Sequence, residues 1–234
     1  MYDIVKNFKR PDKELLEAYS GMQAATLHEV MGKKGALTSD IRPVWPGTQV
    51  VGSALTVKCR AGDNLMLHKA VSIAKPGDIL VVDVDGFLEA GIWGEIITVA
   101  AMEKGIVGIV TNGSVRDTVP IEDMGFAMFS KGISMKGTTK HNPGTINNTI
   151  SIGGVVVNPG DIVVGDNDGV VVIPLDMAEE IIKKAEEKER SEAQVMAKIR
   201  MGECTMDILG FNEAFDRLCL SEEDQEGVMG GTAE

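Results

Sequence analysis

Residues suited to holding an anion beside a metal ion lie close together in the segment 91–117. A continuous apolar run at 106–111 predicts a strand covered on both faces, and a sharp turn ends it. Arg116 and Asp117 follow that turn. Arginine presents a planar fork of N–H donors that matches a carboxylate, and aspartate provides the hard oxygens that Mg²⁺ or Mn²⁺ prefers. The pair could therefore form a small site for an anion and a divalent metal.

The same segment also offers backbone donors for an anion. Its pattern predicts a helix over 93–104, and Gly94 lies at the start of that helix. The first N–H groups of a helix have no intrahelical acceptor and bind anions well. An ordinary structural role stays open, because neighbouring arginine and aspartate residues often pair with each other or cap the next turn. On residue types alone, that ordinary role is favoured.

Lys58 and His68 are further candidates for chemistry. Lys58 lies near the end of the predicted strand 50–59, where the Schiff-base lysine of a class I aldolase could lie, but no second catalytic signal accompanies it. An ordinary lysine at a strand edge is the preferred interpretation. His68 lies among apolar neighbours on the predicted helix 64–74, so we expect it in the core or at the rim of a pocket.

The elements that must position these residues alternate between strands and helices. One turn–strand–turn segment occurs twice, as PGDILVVDVDG at 76–86 and as PGDIVVGDNDG at 159–169. Strands alone are predicted at 151–173, and a long charged helix is predicted over 176–201. Alternation in the middle of the chain, with strands alone near its end, predicts a mixed α/β layered domain rather than a barrel of eight βα units.

Composition restricts the partners that fit this chain. Of its 234 residues, 35 are Asp or Glu and 23 are Lys or Arg, so the formal net charge is −12. This charge disfavours nucleic acid, because it repels the phosphate backbone. No stretch approaches the roughly 18 apolar residues of a membrane span, and no apolar signal segment is seen, so we expect a cytoplasmic protein. The acidic, glycine-rich segment 221–234 predicts a flexible tail.

Several motifs, taken together, carry a family resemblance. They include DIRPVWPGTQVVGSALTV, DNLMLHKAV, WGE, GIVGIVTNGSVRD and GTINNTISIGGVVVNPGDIVVGDNDGVVVIP, within about residues 40–210. In these motifs the chain resembles the RraA-like family, which contains the class II 4-hydroxy-4-methyl-2-oxoglutarate/4-carboxy-4-hydroxy-2-oxoadipate aldolases and an RNase E inhibitor of the same fold. The resemblance implies one α/β domain over 1–220, a layered β/β/α arrangement similar to the swivelling phosphohistidine domains. N-terminal helices, a long C-terminal helix and a homotrimer or homohexamer are expected with it.

The resemblance also implies a spacing for the chemistry. The aldolases carry an acidic residue, twenty intervening residues and then Arg-Asp; in this chain Glu95 is followed by 96–115 and then by Arg116-Asp117. The aldolases that the chain resembles have aspartate at the first position, and the RNase E inhibitor has glycine there. Glu95 keeps the carboxylate and adds one methylene.

The mechanism implied by the resemblance depends on a divalent metal, Mg²⁺ or Mn²⁺. Asp117 would ligate this metal directly and Glu95 would do so through water. The metal and Arg116 would hold a pyruvyl group as an enolate, so no Schiff-base lysine would be needed. The backbone N–H groups that would bind the substrate are those of Gly94, Ile96 and Ile97.

The family adds a glutamate from the next subunit, on the long C-terminal helix. By its distance before the pair Gly202-Glu203, Glu192 is the best match in this chain, and Glu189 is the alternative. A solvated charge on an exposed helix face is an equally good interpretation of either residue. A site shared between subunits would make oligomerisation necessary for activity.

Two functions of different classes are compatible with the resemblance. The first is a carbon–carbon lyase, a class II aldolase that cleaves a 4-hydroxy-2-oxo acid to pyruvate and a second carbonyl compound. Oxaloacetate decarboxylation would be its side activity. The second is a non-catalytic protein that inhibits a ribonuclease by protein–protein binding. The residue at position 95 discriminates between them, and Glu95 supports the enzyme.

Overall fold

The computed structural model describes residues 3–218 of the chain. These residues form two compact units, 3–188 and 189–218, and the boundary lies within the long C-terminal helix. The expectation of a single domain over 1–220 stays a prediction. The predicted tail at 221–234 lies outside the described residues.

The described chain contains eight α-helices, one 3-10 turn and thirteen strands. The helices are α1 Lys13–Ala18, α2 Ala24–Val30, α3 Leu65–Ile73, α4 Glu95–Glu103, α5 Thr118–Asp123, α6 Ala178–Arg200, α7 Thr205–Ile208 and α8 Asn212–Arg217, and the 3-10 turn is Leu175–Met177. The strands are β1 Arg42–Pro43, β2 Val50–Lys58, β3 Asp78–Asp83, β4 Gly91–Trp93, β5 Gly108–Thr111, β6 Ser114–Val115, β7 Ala127–Ser130, β8 Gly132–Ile133, β9 Thr145–Ile146, β10 Ile150–Ile152, β11 Val155–Val157, β12 Ile162–Asp166 and β13 Gly169–Ile173.

The first unit is built on one large mixed sheet. Its strand order is β1-β7-β5-β3-β2-β12-β13, with β9 also paired to β2. Strands β2, β3, β5 and β7 run parallel, whereas β12 and β13 are antiparallel to their neighbours. Every residue of β3 is buried, as expected for a central strand covered on both faces. The repeated turn–strand segments form β3 and β12, which lie on either side of β2.

Helices cover this sheet through apolar side chains. One core cluster joins α3 and α4 to the sheet, with Leu67 and Ile97 among its buried residues. Another joins α2 and the start of α6 to β12 and β13, with Leu27 and Ile181 inside it. The predicted mixed α/β layered architecture, with N-terminal helices and a long C-terminal helix, is confirmed. No helix within residues 3–218 combines the length and the apolar composition needed to cross a bilayer.

A small parallel sheet, β4-β6-β8, positions the candidate chemistry. Strand β4 leads into α4, and β6 ends immediately before Arg116 and Asp117. The predicted helix start at residue 93 is wrong, since α4 begins at Glu95. Trp93 pairs with Val115 in the small sheet, and this long-range pairing replaces the first helical turn.

Candidate active site

Two segments distant in sequence meet where helix α4 begins. The residue that caps α4 is Gly94, which has no side chain to satisfy the free N–H groups of the first turn. The Asp117 carboxylate, from another segment, satisfies one of these groups, since the Glu95 N–H donates to Asp117 Oδ2 at 3.0 Å. The structure therefore places the helix start next to the arginine–aspartate pair.

Asp117 lies at the N-cap position of α5 but does not cap it. Its φ and ψ are 56° and 42°, in the left-handed region, and its side chain makes no capping hydrogen bond. The interpretation that Asp117 caps the next turn is therefore wrong. Non-glycine residues in this region cost some free energy, although aspartate tolerates it better than most, and they are enriched at functional sites.

The other ordinary interpretation, pairing of Arg116 with Asp117, is correct only in part. Arg116 Nε lies 3.6 Å from Asp117 Oδ2, which is within ion-pair range but too long for a hydrogen bond. Nε is buried and has no hydrogen-bond partner. Because a buried charged donor without a partner is costly, this N–H is suited to an acceptor on a ligand.

Gly94 makes this close arrangement possible. A β-carbon at position 94 would lie 2.5 Å from Asp117 Oδ2 and 2.9 Å from Arg116 Nε. The backbone of Gly94 is extended, so the site needs its lack of a side chain rather than its freedom in φ. Any larger residue would displace both charged groups.

A cavity of about 140 Å³ lies beside these groups. Its lining includes four residues that the resemblance assigned to substrate binding, namely Gly94, Ile96, Ile97 and Arg116. The N–H groups of Ile96 and Ile97 belong to the first turn of α4, where helix geometry provides no intrahelical acceptor. Glu95 and Asp117 are not among the lining residues. They flank the cavity at the start of α4.

Sequence reasoning missed most of the opposite wall of the cavity. That wall is provided by Asn64, His68 and Lys140, with Gly91 and Ile92 between the two sides. The expectation that His68 lies at a pocket rim is consistent with this wall. Partial burial, together with the nearby charge of Lys140, lowers the pKa of His68, which favours the neutral imidazole. Arg116 and Lys140 therefore make the cavity locally positive, although the chain carries a large negative charge.

Asp63 fixes the loop that carries Lys140. Its buried carboxylate accepts hydrogen bonds from the backbone N–H groups of His141 and Asn142 and from the hydroxyl of Thr139. Burial alone would raise the pKa of Asp63, but these bonds outweigh burial and hold its pKa well below the usual range. The carboxylate therefore stabilises the fold above about pH 4, and that contribution is lost as the pH falls further.

We expect Asp63→Asn to destabilise the protein by about 2–3 kcal/mol near pH 7, because several charge-assisted hydrogen bonds are weakened at once. The difference from wild type should shrink below about pH 4, because Asp63 of the unfolded wild-type chain is protonated there while the folded carboxylate is still ionised, which costs the folded state its advantage. Urea unfolding near pH 7 and again below about pH 4 measures the difference in free energy of unfolding between wild type and the variant. The matched control is Asp123→Asn, which replaces an exposed aspartate. A difference that does not change with pH would contradict the role of the charge.

The acidic residues of the site fit a hydrated divalent ion rather than a closed metal cage. No cluster of three or more His, Cys, Asp or Glu side chains that could hold a metal occurs within 3–218. Mg²⁺ keeps several water molecules in proteins, so one direct carboxylate can suffice. The Asp117 side chain is 41% exposed, and Glu95 is exposed in the adjoining first turn of α4. Asp117 as a direct ligand and Glu95 through water would give such an ion hard oxygen ligands.

The glutamates expected from a neighbouring subunit are in the other compact unit. Both Glu192 and Glu189 lie on α6, beyond the boundary at Lys188. Glu192 is exposed and Glu189 is half-buried in the single chain. Their assignment to the metal site of another subunit stays a prediction.

The environment of Lys58 disfavours a Schiff base. Its ammonium forms ion pairs with Asp83 and Asp85. Partial burial alone would lower the pKa of Lys58, but the hydrogen bonds to these two carboxylates raise it above the ordinary value. An ammonium ion cannot attack a carbonyl group, so this environment makes Lys58 poorly suited to be the nucleophile of a class I mechanism.

Known sequences similar to this chain point to one family. A family profile described as RraA-like: Aldolase/RraA matches residues 14–172. A protein of Halalkalibacterium halodurans, provisionally named 4-hydroxy-4-methyl-2-oxoglutarate aldolase, is 41% identical over 153 residues. That alignment covers 65% of this chain and 73% of the relative.

Solved structures give the same fold. An uncharacterized protein from Pseudomonas syringae matches with a TM-score of 0.75 and 26% identity, over 84% of this chain and 97% of that one. A Streptomyces coelicolor protein, titled an unusual member of the RNase ES inhibitor RraA protein family, matches with a TM-score of 0.72 and 29% identity. The match covers 81% of this chain and 100% of the Streptomyces coelicolor chain.

Proposed function

This chain belongs to the RraA-like family, and on that premise we propose that it is a divalent-metal-dependent class II aldolase. Its substrate would be a 4-hydroxy-2-oxo acid of the 4-hydroxy-4-methyl-2-oxoglutarate type, cleaved to pyruvate and a second carbonyl compound. Oxaloacetate decarboxylation would be a side activity, because loss of carbon dioxide leaves the same pyruvate enolate.

The observation that carries this proposal is the packing of Arg116 and Asp117 against the start of α4, beside a locally positive cavity. A 2-oxo acid needs donors for a carboxylate and for a keto oxygen that gains charge. The buried Nε of Arg116 and the N–H groups of Ile96 and Ile97 are donors of this kind.

The protein's own groups would act mainly by binding and orienting. Arg116 would hold the carboxylate and the keto oxygen of the pyruvyl part, and the first turn of α4 would add its backbone donors and its dipole. The metal, held by Asp117 directly and by Glu95 through water, would supply a Lewis acid that stabilises negative charge. Its identity is proposed as Mg²⁺ or Mn²⁺.

The cleavage requires one proton to leave and one to arrive. The proton on the C4 hydroxyl passes to a water molecule that Arg116 orients, and the C3–C4 bond breaks. Its electron pair moves to the pyruvyl part, which becomes the enolate, while C4 becomes a carbonyl carbon. A proton then returns to C3 and gives pyruvate. In oxaloacetate, C4 leaves as carbon dioxide and no hydroxyl proton is removed.

A subunit neighbour would complete the site. The glutamate proposed for this is Glu192, with Glu189 as the alternative, and it would reach the metal through water. The active protein would then be a homotrimer or homohexamer. Its ligand would be a small 2-oxo acid, and it would not bind nucleic acid.

The second candidate function is inhibition of a ribonuclease by protein–protein binding. The similarity to a protein titled as belonging to the RNase ES inhibitor family supports it, and the net charge of −12 suits a basic partner. The carboxylate of Glu95, where the family's inhibitor has glycine, favours the aldolase.

We expect pyruvate release to depend fully on a divalent metal. After exhaustive treatment with EDTA, release from oxaloacetate and from 4-hydroxy-2-oxo acids should fall to background, and added Mg²⁺ or Mn²⁺ should restore it. Borohydride with pyruvate should leave the protein unmodified, since Lys58 is held as an ammonium ion. Full activity in EDTA, or a reduced adduct on Lys58, would refute the metal mechanism.

A further inference from the structure

Asn64, in the wall of the cavity, has a buried side-chain oxygen without a hydrogen-bond partner. In the part of the chain that the structure describes, four buried side-chain nitrogen or oxygen atoms lack such a partner. Two of them, Arg116 Nε and Asn64 Oδ1, belong to residues that line the cavity. Arg116 Nε is a donor, and the proposed function uses it to bind substrate. Asn64 Oδ1 is an acceptor, and no step of the proposed mechanism uses it.

The orientation of the Asn64 amide is fixed by its other half. Nδ2 donates to the carbonyl oxygen of Ile92 at 3.0 Å, and only the NH₂ group can make this bond. Oδ1 is therefore the unpartnered atom. Asn64 does not cap α3 with its side chain, because the carboxylate of Asp63 accepts the Leu65 N–H instead.

Asn64 is held firmly, so its unpartnered oxygen is a fixed feature of the wall. The residue is only 7% exposed, and its backbone N–H donates to Thr139 in the loop that Asp63 organises. A buried acceptor without a donor is unfavourable, and such atoms in folded proteins usually indicate a missing partner, water included. The cavity volume of about 140 Å³ is far larger than the roughly 10–15 Å³ that one water needs, so a small ligand and an ordered water can share it.

We propose that Asn64 is a positioning residue for aldol cleavage, whose side-chain oxygen accepts a hydrogen bond from the water that receives the C4 hydroxyl proton. This inference rests on the proposed function. The carboxylate and keto oxygens of a 2-oxo acid have no hydrogen to donate, and the C4 hydroxyl gives its only proton to water. Water is therefore the group that donates to Asn64. Arg116 has more N–H donors than the pyruvyl oxygens need, so it can orient the same water.

These contacts fix both the direction and the charge of that water. An ordered water in a protein makes about three hydrogen bonds. One of its hydrogens points to Asn64 Oδ1, one lone pair accepts from Arg116, and the other lone pair faces the C4 hydroxyl.

The oxygen of Asn64 matters most while the proton moves. The hydroxyl O–H bond breaks, its proton forms a third O–H bond on the water, and its electron pair becomes the second bond of the C4 carbonyl. The water thereby becomes positive. The oxygen end of the Asn64 amide dipole stabilises this positive charge and offsets the unfavourable effect of the Arg116 guanidinium beside it.

Two substrates separate this role from binding and from folding. Cleavage of 4-hydroxy-2-oxoglutarate needs the hydroxyl proton removed, whereas oxaloacetate decarboxylation removes none. For each protein, kcat and KM are measured with Mg²⁺ from consumption of each substrate, and the ratio of the two kcat/KM values is taken. Asn64→Leu has a similar shape and removes the acceptor. It should lower the ratio of cleavage to decarboxylation by about tenfold or more, with the loss in kcat.

Two further variants control for other effects of the leucine. Asn64→Leu also removes the donor to Ile92. Asn64→Asp loses the same donor but keeps an acceptor oxygen, so the ratio should stay within about threefold of wild type even if both rates fall. Ser53→Ala removes another unpartnered buried oxygen, outside the cavity lining, and should leave the ratio unchanged. Circular dichroism verifies folding, and Asn64→Ala replaces the leucine variant if that variant does not fold.

The outcomes separate this inference from the proposed function. If wild type does not cleave 4-hydroxy-2-oxoglutarate, the proposed function is wrong and the assignment of Asn64 is overturned with it. If wild type acts on both substrates but Asn64→Leu keeps the ratio or changes only KM, or Asn64→Asp loses the ratio as Leu does, only the role of Asn64 is overturned. If wild type cleaves 4-hydroxy-2-oxoglutarate alone, a loss of kcat in Asn64→Leu that Asn64→Asp reverses supports the role, and any other result overturns it.

Discussion

Arg116→Lys is expected to lower kcat/KM for pyruvate release by about 100-fold or more, although the positive charge is kept. A lysine ammonium is a single point of charge and cannot present two parallel N–H donors to a carboxylate and a keto oxygen. It also has a methylene group, and so no hydrogen-bond donor, at the position of the buried Nε. We expect kcat to fall as well as KM to rise, because the bond to arginine strengthens as the enolate forms.

Initial-rate kinetics on oxaloacetate and on 4-hydroxy-2-oxoglutarate provide the measurement. The matched control is Arg42→Lys, since the Arg42 guanidinium binds the backbone carbonyls of Ser39 and Asp168 and does not line the cavity. The control should stay within about twofold of wild type. If Arg116→Lys were equally active, Arg116 would have a structural role, since loss of a charged hydrogen bond usually costs more than ~1 kcal/mol.

Glu95→Gly is expected to lower metal affinity and turnover by roughly 10–100-fold, by analogy with the loss of an outer-shell ligand. The change reproduces the residue of the family's inhibitor at this position and leaves Arg116 and Asp117 in place. The Glu95 N–H still donates to Asp117 in the variant, because this bond uses only the backbone. The fold should persist, since glycine in a helix costs about 1 kcal/mol against a total of about 5–15.

Two control variants make the Glu95 experiment specific. Glu95→Asp keeps a carboxylate and should retain activity. Glu103→Gly places the same substitution at the exposed end of the same helix and should leave turnover within about twofold of wild type. Should the folded Glu95→Gly protein be as active as wild type, Glu95 would have no metal role, and the preference for aldolase over inhibitor would lose its main support.

Local sequence signals were enough to predict that the start of α4 and the Arg116-Asp117 pair could form one site. The glycine at a helix start and the charged pair after a buried strand are each visible within a few residues of sequence. Both segments then meet because β4 and β6 are neighbours in one small sheet. Local signals placed the start of α4 two residues too early, at residue 93. They could not show that Trp93 pairs with Val115, because these residues are far apart in the chain.

The opposite wall could not be predicted in this way. Lys140 lies in a polar loop without helical or strand periodicity, so no local pattern fixes its position. Hydrogen bonds to Asp63 from residues 76 to 79 positions later in the chain determine where that loop lies. Asn64 is adjacent to Asp63 and shares the same anchoring. Only the motif DNLMLHKAV, which contains Asn64 and His68, gave a sequence signal for this wall.

The most direct measurement of the central claim is exchange of the methyl protons of pyruvate with D₂O, followed by proton NMR. Pyruvate enolate is proposed to form at Arg116 and Asp117, so this measurement requires no knowledge of the group on the C4 side of the substrate. With Mg²⁺, wild type should remove the methyl signal of pyruvate, whereas wild type in EDTA and Asp117→Asn should leave it at the uncatalysed rate. Absence of exchange in the folded wild type with Mg²⁺, or equal exchange in EDTA, would contradict the claim.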